Sequence, residues 1–331
     1  MNQVIIFANH YKAFIMYAIK SGEFMKTCPF LGVCGGCKYD FTAPDYREQK
    51  LKLLTDWSTK NNIFWTPIGR RRRADFCFGD GKIGFFERGT KNIVPVSNCP
   101  NLVPEINAVL PIMARFPWNG TGSALVTLCE NGLDLAVISD VPYFSREFKL
   151  AAEKSVFIRV SWNGTVICQS DVPKVRFGNK VVEYPVSAFL QPTVESESAM
   201  RDFVVAHAAE IRHVADLFCG IGNFTFALNA DGFDIAGTGV KRDLFKRPLT
   251  AKTLNNYNII VMDPPRAGAE SQCNELAHSD ISKIIYVSCN PITLRRDAQI
   301  LMRAGYKITD TMAFDQFVGS PHWEIAAVFE K

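Results

Sequence analysis

Two apolar runs that each end in a rigid polar turn restrict the fold of this chain more than any other feature. Residues 284–287 precede Ser288-Cys289-Asn290-Pro291, and residues 259–262 precede Asp263-Pro264-Pro265. Short runs rich in β-branched residues are typical of strands buried in a parallel sheet. Ligands bind at the carboxyl ends of such strands. The pattern therefore predicts an α/β protein whose functional site includes Cys289 and Asp263.

Three residues at the ends of predicted strands have side chains that can do chemistry. A buried, unreactive cysteine is the commoner role of this residue type, but Cys289 is placed to act as a nucleophile. The two prolines hold Asp263 in a fixed turn, where its carboxylate either contacts a ligand or caps the loop. Glu324 directly precedes the apolar run at residues 325–329. It is either a surface carboxylate or an acid–base group.

A glycine-rich turn follows another predicted strand. Residues 213–229 read HVADLFCGIGNFTFALN, in which Asp216, Gly220 and Gly222 lie where the strand turns into a helix. Glycines at this point let the backbone approach a bound nucleoside, and the helix N-terminus supplies amide donors. With Asn223 on the helix, the segment indicates a site for S-adenosylmethionine or a dinucleotide.

Length and composition indicate an ordinary globular protein. The chain has 331 residues, enough for two domains, of which 47% are hydrophobic and 21% charged. A net charge of +4 permits an RNA or DNA partner without requiring one. Ten cysteines in a chain of this length are not the disulfide framework of a small secreted protein. Residues 4–19 are apolar, but they are short for a membrane span and lack the features of a signal peptide. We interpret residues 1–24 as an N-terminal extension, or a misplaced start ahead of Met25, of a cytoplasmic protein.

Three cysteines lie close together in the pattern Cys28-x5-Cys34-x2-Cys37. Two glycines between the second and the third let the backbone wrap around a bound centre. A closed site needs a fourth ligand, for which Cys99 is the best candidate. Zinc and a [4Fe-4S] cluster both accept four cysteines. The longer spacing is unusual for zinc and favours the cluster, and the alternative is a set of unrelated buried cysteines.

The middle of the chain is predicted to be rich in strands. A helix over residues 46–60, with Leu51, Leu54 and Trp57 on one face, precedes short apolar runs that turn residues separate. These runs predict a small antiparallel domain. Four consecutive arginines at residues 70–73, with aromatic residues nearby, suit contacts with RNA phosphates and bases. The alternative for the arginines is a solvated face.

Four segments together resemble the RNA uracil-C5 methyltransferase family: DLFCGIGNF, DPPRAG, SCNP and the glutamate before the last strand. The cysteine pattern with CGGC is similar to that of the iron–sulfur branch, which methylates uridines of 23S ribosomal RNA. The resemblance covers residues 27–331. It implies a Rossmann-like class I methyltransferase domain at residues 186–331, after a cysteine cluster segment at residues 25–45 and a β-rich RNA-binding domain at residues 46–185. The implied partners are S-adenosylmethionine, a [4Fe-4S] cluster and ribosomal RNA, and we expect a monomer.

The resemblance also implies a role for each candidate residue. Cys289 would add to C6 of uracil, C5 would take the methyl group, and Glu324 would remove the C5 proton. Asp263 would hydrogen-bond the uracil edge, and Phe189 would stack on a flipped base. Gln191 would belong to the base pocket and to the cofactor site. The implied cofactor residues are Gln191, Asp216, Phe218, Gly220, Gly222, Asn223, Asp243 and Asp263, and the implied cluster ligands are Cys28, Cys34, Cys37 and Cys99.

The cofactor half of the chain is shorter than the family pattern. A strand predicted at residues 233–237 is followed by a stretch, residues 238–257, that is too short for two further strand–helix units. We therefore expect that one unit is lost between Thr238 and Val240. In the family pattern an acidic residue after the second strand holds the cofactor ribose. No acidic residue follows the strand predicted here. The alternatives to an active 23S enzyme are an inactive RNA-binding remnant, a tRNA uracil-C5 methyltransferase and, with less support, a methylase of base amino groups.

Overall fold

The computed structural model describes residues 28–54, 62–208 and 212–331. The predicted extension at residues 1–24 lies outside the described residues, as does Trp57 of the first predicted helix. Across the part of the chain that is described, no helix is both long and apolar enough to cross a membrane.

The helices and strands fall into two regions, each built on its own large sheet. The helices are α1 (Tyr46–Leu51), α2 (Pro104–Met113), α3 (Arg146–Glu153), α4 (Val194–Ala208), α5 (Asn223–Leu228), α6 (Ala251–Leu254), α7 (Glu270–Ala277) and α8 (Pro291–Arg303). The first ten strands are β1 (Ile63–Phe64), β2 (Arg73–Gly79), β3 (Lys82–Phe86), β4 (Ile93–Val94), β5 (Gly122–Cys129), β6 (Gly132–Ser139), β7 (Phe157–Trp162), β8 (Thr165–Gln169), β9 (Lys174–Phe177) and β10 (Lys180–Glu183). The others are β11 (Val214–Leu217), β12 (Asp231–Asp234), β13 (Val240–Lys241), β14 (Ile259–Met262), β15 (Lys283–Ser288), β16 (Lys307–Phe314) and β17 (Glu324–Glu330).

The C-terminal region is built on a mixed sheet with the strand order β1-β16-β17-β15-β14-β11-β12-β13, which we call the C-terminal sheet. Its strands β12, β11, β14 and β15 are parallel, and β17 runs antiparallel between β15 and β16. All of β14 and all but the first residue of β15 are buried. The two apolar runs are thus central strands, as predicted, and each ends in its polar turn at the same edge of the sheet.

The central sheet has the order β4-β3-β2-β5-β6-β7-β8. Its neighbouring strands are antiparallel except for β6 and β7, which are parallel. The predicted antiparallel domain therefore contains one parallel pair. Helix α3 lies between the two strands in the chain and provides the crossover that parallel neighbours need.

The predicted domain boundary before residue 46 does not agree with the structure. Strand β1 pairs in parallel with β16 of the C-terminal sheet. Helix α1 contributes Lys50, whose Nζ lies 2.9 Å from Asp315 Oδ1, with both side chains buried. The first helix and strand of the predicted central domain therefore belong to the C-terminal region, because the groups that pair with them lie there.

A buried ion pair joins the two regions. Arg72, just before β2, lies 2.7 Å from Glu197 of α4, and both side chains are almost fully buried. The Nε of Arg72 also donates to the backbone carbonyl of Gln191 (3.1 Å). The β9–β10 hairpin adds an apolar contact, because Phe177 and Ile221 belong to one buried cluster. These contacts connect the central sheet to the segment that leads into the C-terminal sheet.

The region between β12 and β14 is too short for two strand–helix units, as predicted. Strand β13 has two residues and pairs in parallel with β12 after a loop of residues 235–239, although parallel neighbours normally need a crossover of a dozen or more residues. Gly237 makes this loop possible: its φ is +97°, and a Cβ there would lie 2.1 Å from the carbonyl oxygen of Gly220. The loop therefore packs directly on the glycine-rich turn.

Candidate active site

The ends of neighbouring strands bring the predicted catalytic residues to one cavity. Asp263 follows β14, Cys289 follows β15, and Glu324 begins β17. Ser288 pairs with Ile325 across β15 and β17, so Cys289 and Glu324 lie at the same edge of the C-terminal sheet. All three residues line a cavity of about 770 Å³. A cavity of this volume suits a small-molecule ligand.

The turn that carries Cys289 is fixed by its neighbour Asn290. The Oδ1 of Asn290 accepts from the backbone N–H of Ile292 (3.1 Å) and caps α8, whose first residue is Pro291. The Nδ2 of Asn290 donates to the carbonyl of Arg266 (2.8 Å). The turns after β14 and β15 are thereby tied together, which explains why Asn-Pro follows the cysteine.

Burial raises the pKa of the ionisable groups in this cavity. Burial first, and then the charge of Asp216, raise the pKa of Asp263 to about 7. Burial and the charge of Asp263 raise the pKa of Glu324 well above its ordinary value. Burial also raises the pKa of Cys289 to about 12, with Glu324 and Asp263 adding to it and Arg266 opposing it. Groups with such perturbed pKa values in one cleft are typical of sites that transfer protons.

A glutamine that the sequence did not indicate connects the two carboxylates. Gln316 Nε2 donates to Glu324 Oε2 (2.5 Å) and to Gln191 Oε1 (3.0 Å). Gln191 Nε2 donates in turn to Asp263 Oδ2 (3.2 Å). Gln316 lies in the loop between β16 and β17, outside every motif recognised in the sequence. Its place in the site depends on how that loop folds, which no local pattern records.

The segment before α4 forms one wall of the cavity and contains Phe189 and Gln191. Phe189 is 62% exposed, and the Arg73 guanidinium carbon lies 5.5 Å from its ring centroid. An exposed ring at a cavity wall is available for stacking on a base. Gln191 is buried, and its hydrogen bonds with Asp263 and Gln316 place it among the reactive groups.

The predicted cofactor residues divide into two groups. Those that line the cavity are Gln191, Phe218, Gly220, Asp243 and Asp263. Asp216, Gly222 and Asn223 are not among the lining residues. Asp216 is fully buried, and its Oδ2 accepts from Thr225 Oγ1 (2.6 Å). Burial raises its pKa to about 7. Asp216 thus binds the helix that follows the glycine-rich turn, through Thr225.

Asp234 corrects the prediction that no acidic residue ends the second strand. Strand β12 ends at Asp234 rather than at Gly237, and Asp234 lines the cavity. Its Oδ2 accepts from the backbone N–H of Gly220 (2.9 Å), and its Oδ1 accepts from that of Ala236 (3.0 Å). The strand was predicted to extend to residue 237 because Ile235 and Ala236 are apolar. In the structure these residues already belong to the loop, so the acid is at the strand end.

Most of the four arginines at residues 70–73 contact other parts of the protein. Arg72 forms the buried ion pair with Glu197, so the predicted RNA contact is wrong for this residue. Arg71 lines the cavity that holds the N-terminal cysteines. Arg73 reaches Phe189, and Arg70 forms an exposed ion pair with Glu195.

The predicted cluster cysteines line one separate cavity of about 270 Å³, which we call the cysteine cavity; they are Cys28, Cys34, Cys37 and Cys99. Burial raises the pKa of Cys37 to about 12, and the other three thiols add to this, so all four interact electrostatically. Asn107 holds the loop of Cys99 with hydrogen bonds to its backbone N–H and carbonyl (2.8 and 3.0 Å). Within residues 28–54, 62–208 and 212–331, no group of three or more Cys, His, Asp or Glu has an arrangement that could hold a metal ion.

Known proteins with a similar sequence are RNA methyltransferases. The profile of the family described as tRNA (Uracil-5-)-methyltransferase matches residues 236–331. An RNA methyltransferase of Brucella melitensis is 35% identical over 92% of this chain and 84% of its own. The 23S rRNA (uracil(1939)-C(5))-methyltransferase of Photorhabdus laumondii is 28% identical over 92% of this chain and 82% of its own.

A solved structure shares the fold. The tRNA (uracil-54, C5)-methyltransferase of Pyrococcus abyssi, in complex with S-adenosyl-L-homocysteine, matches with a TM-score of 0.67 and 18% identity. The match covers 86% of this chain and 82% of that one. The fold is therefore that of class I S-adenosylmethionine-dependent methyltransferases, as predicted. With the profile and the relatives, these findings show that the chain belongs to the RNA uracil-5 methyltransferase family.

Proposed function

We propose that this protein transfers a methyl group from S-adenosylmethionine to C5 of a uridine in 23S ribosomal RNA, through a covalent bond between Cys289 and C6. The observation that carries the proposal is that Cys289, Glu324 and Asp263 line one cavity. The reaction needs a nucleophile, a base and a group that binds the uracil edge. A thiol and two carboxylates at one edge of the sheet can supply all three.

Cys289 provides the nucleophile. Its Sγ forms a bond to C6, and the electron pair of the C5=C6 double bond moves toward the C4 carbonyl as an enolate, which makes C5 nucleophilic. Burial and the neighbouring carboxylates raise the pKa of Cys289, so its thiol gives up its proton to solvent as Sγ bonds to C6. Arg266 favours the thiolate, and protonation of Asp263 removes part of the negative charge that opposes it.

Glu324 and Asp263 complete the cycle. Once C5 carries the methyl group, Glu324 takes the C5 proton, the C–H electron pair re-forms the C5=C6 bond, and the C6–Sγ bond breaks. The raised pKa of Glu324 makes its carboxylate a stronger base than an exposed one. Asp263, held by Gln191, hydrogen-bonds the uracil edge and orients the ring.

The other end of the cavity fits S-adenosylmethionine, which supplies the methyl group and carries a positive sulfonium. Gly220 leaves the backbone open to a nucleoside, and Asp234 and Asp243 present carboxylates that suit ribose hydroxyls and a cationic ligand. The related fold from Pyrococcus abyssi was crystallised with S-adenosyl-L-homocysteine, which supports this assignment. An acid at the end of β12 argues against the alternative of an inactive remnant, which rested on its absence.

We also propose that Cys28, Cys34, Cys37 and Cys99 hold a [4Fe-4S] cluster. Four thiols on one cavity are the donor set that such a cluster requires. Each cysteine of a cluster binds a different iron atom, so the sulfurs need not converge on one point as they do around zinc. Anaerobic reconstitution tests this: the native protein should gain iron, acid-labile sulfide and visible absorption, and Cys37→Ser should not. Cys168→Ser, on β8 of the central sheet, is the control that should behave as the native protein does.

The choice of 23S ribosomal RNA is supported by the relative from Photorhabdus laumondii, which is named for that substrate. Transfer RNA is the second candidate, because the family profile and the Pyrococcus abyssi enzyme are named for tRNA. The exposed ring of Phe189 suits a flipped or single-stranded base in either RNA.

Tritium release from RNA labelled at uracil C5 tests the reaction. The reconstituted protein with S-adenosylmethionine should release tritium from 23S rRNA, and Cys289→Ala should release none. Cys168→Ala is the matched control and should retain activity. Release from tRNA alone would move the proposal to the second candidate. An absence of release from both RNAs, with the cofactor bound, would contradict it.

A further inference from the structure

We propose that Gln316 is a positioning residue for the elimination step, in which it holds the Glu324 carboxylate by one oxygen so that the other oxygen takes the C5 proton. The inference rests on the proposed function, because Gln316 acts through the base that the reaction requires. The assignment comes from the contacts of Gln316 and from the way its loop is anchored.

The first observation is the hydrogen bond itself. Gln316 Nε2 lies 2.5 Å from Glu324 Oε2, and among the described residues this is the hydrogen bond that the carboxylate accepts. Glu324 is 2% exposed, so the protein rather than bulk solvent surrounds most of this side chain. A buried carboxylate with one oxygen engaged has a defined orientation, and its second oxygen remains for the substrate proton.

The second observation is that Gln316 leaves its own oxygen unsatisfied. Gln316 is 1% exposed, and its Oε1 has no hydrogen-bond partner within the described part of the chain. A buried amide oxygen without a donor destabilises a fold. The side chain nevertheless directs its nitrogen to two residues of the site, Glu324 and Gln191. The amide is thus oriented by its hydrogen bonds to the site, while its oxygen stays unpaired.

The third observation is that the backbone next to Gln316 is anchored from outside the site. Asp315 pairs with Lys50 (2.9 Å) and accepts from the hydroxyl of Tyr46 (2.8 Å). The backbone N–H of Asp315 donates to the carbonyl of Phe64 (2.9 Å). Helix α1 and strand β1 therefore fix the loop, so Gln316 can hold Glu324 in place instead of moving with it.

The contact with Gln191 does not make Gln316 necessary for binding uracil. The backbone carbonyl of Gln191 is held separately by Arg72 (3.1 Å), and its side chain contacts Asp263 directly (3.2 Å). Loss of the Gln316 amide should therefore leave addition and methyl transfer in place. It should slow the step in which the C5–H bond breaks, the C5=C6 bond re-forms and the thiolate leaves. The methylated covalent adduct between the protein and RNA should then accumulate.

The test measures adduct and product in the same reaction. The full-length protein with S-adenosylmethionine and C5-tritiated RNA is sampled for tritium release and for covalent adduct on a denaturing gel. Gln316→Met keeps the side-chain length and removes the amide. It should reduce single-turnover tritium release about 10–100-fold, part of the ~10²–10⁴-fold that a positioned base contributes. The adduct should accumulate, as it should in Glu324→Gln.

Gln272→Met is the matched control. Gln272 is fully buried in α7. Its Oε1 accepts from the backbone N–H of Leu249 (2.9 Å), and its Nε2 donates to the carbonyl of the same residue (3.0 Å). Gln272→Met loses two hydrogen bonds, as Gln316→Met does, but they lie outside the cavity. The control variant should therefore have a lower melting temperature and should not accumulate the adduct.

The ratio of trapped adduct to released product does not depend on how much protein is folded. A wild-type ratio in Gln316→Met would overturn the inference, whatever the total activity. If that variant does not fold, Gln316→Leu gives the same comparison. If the wild-type protein forms no adduct and releases no tritium, the proposed function fails first, and the inference fails with it.

Discussion

Replacement of Arg72 by methionine should destabilise the protein strongly and in a pH-dependent way. Arg72 and Glu197 form an ion pair of 2.7 Å, with side-chain exposures of 7% and 2%. The methionine keeps much of the apolar stem but leaves the Glu197 carboxylate buried without its partner. Removal of one member of a buried pair typically costs about 3–5 kcal/mol of unfolding free energy. We expect a loss in this range at pH 8.

The pH dependence follows from the pKa of Glu197. Burial raises it to about 6 in the native protein, while the charges of Arg72 and Arg201 and the hydrogen bond from Arg72 lower it. An acid whose pKa is higher in the folded state destabilises the fold as pH rises from its unfolded value through its folded one. Without Arg72 the folded pKa rises further, and each unit corresponds to about 1.4 kcal/mol. The variant should therefore regain stability at pH 5, where Glu197 is protonated.

Urea unfolding at pH 5 and pH 8 measures both effects. Arg70→Met is the matched control, because Arg70 pairs with Glu195 on the same helix but is 57% exposed. That exposed pair should be worth about 1 kcal/mol or less at either pH. The double variant Arg72→Met/Glu197→Met removes both charges and should be more stable than Arg72→Met alone at pH 8.

Two results would refute this reasoning. The first is an unfolding midpoint for Arg72→Met at pH 8 that matches that of Arg70→Met. The second is a loss of stability in Arg72→Met that is the same at pH 5 and pH 8, because the buried charge would then not be its cause.

Three further outcomes are expected. Asp234→Asn should weaken S-adenosylmethionine binding in calorimetry, whereas Asp231→Asn, on the same strand but outside the cavity, should not; equal affinities would contradict a cofactor role for the strand end. Phe189→Ala should raise the KM for RNA and leave cofactor affinity unchanged, and an unchanged KM would exclude stacking by this ring. Lys50→Met should lower the unfolding free energy by about 3–5 kcal/mol, because Asp315 stays buried without its partner. An unchanged urea midpoint would contradict that.

The reactive strand ends were accessible from the sequence because each is a local pattern. A β-branched run ending in Ser-Cys-Asn-Pro and another ending in Asp-Pro-Pro predict buried strands and rigid turns without knowledge of any distant contact. Parallel strands have their carboxyl ends at one edge, so the meeting of Cys289 and Asp263 could also be inferred. Asp234 also lies at a strand end, but the sequence pattern predicted that end three residues too late. The ends of strands are the part of a sequence prediction that is least reliable.

Other features depend on contacts between positions far apart in the chain, and only the tertiary structure decided them. Gln316 meets Gln191 across 125 positions, and Arg72 meets Glu197 across the same separation. An arginine in a basic run has the same local pattern whether it faces RNA or a buried glutamate. Its role is set by burial, since desolvation makes a charge costly unless a partner is present. The sequence alone therefore determined which residues could react, and the folded packing determined which polar side chains hold them in place.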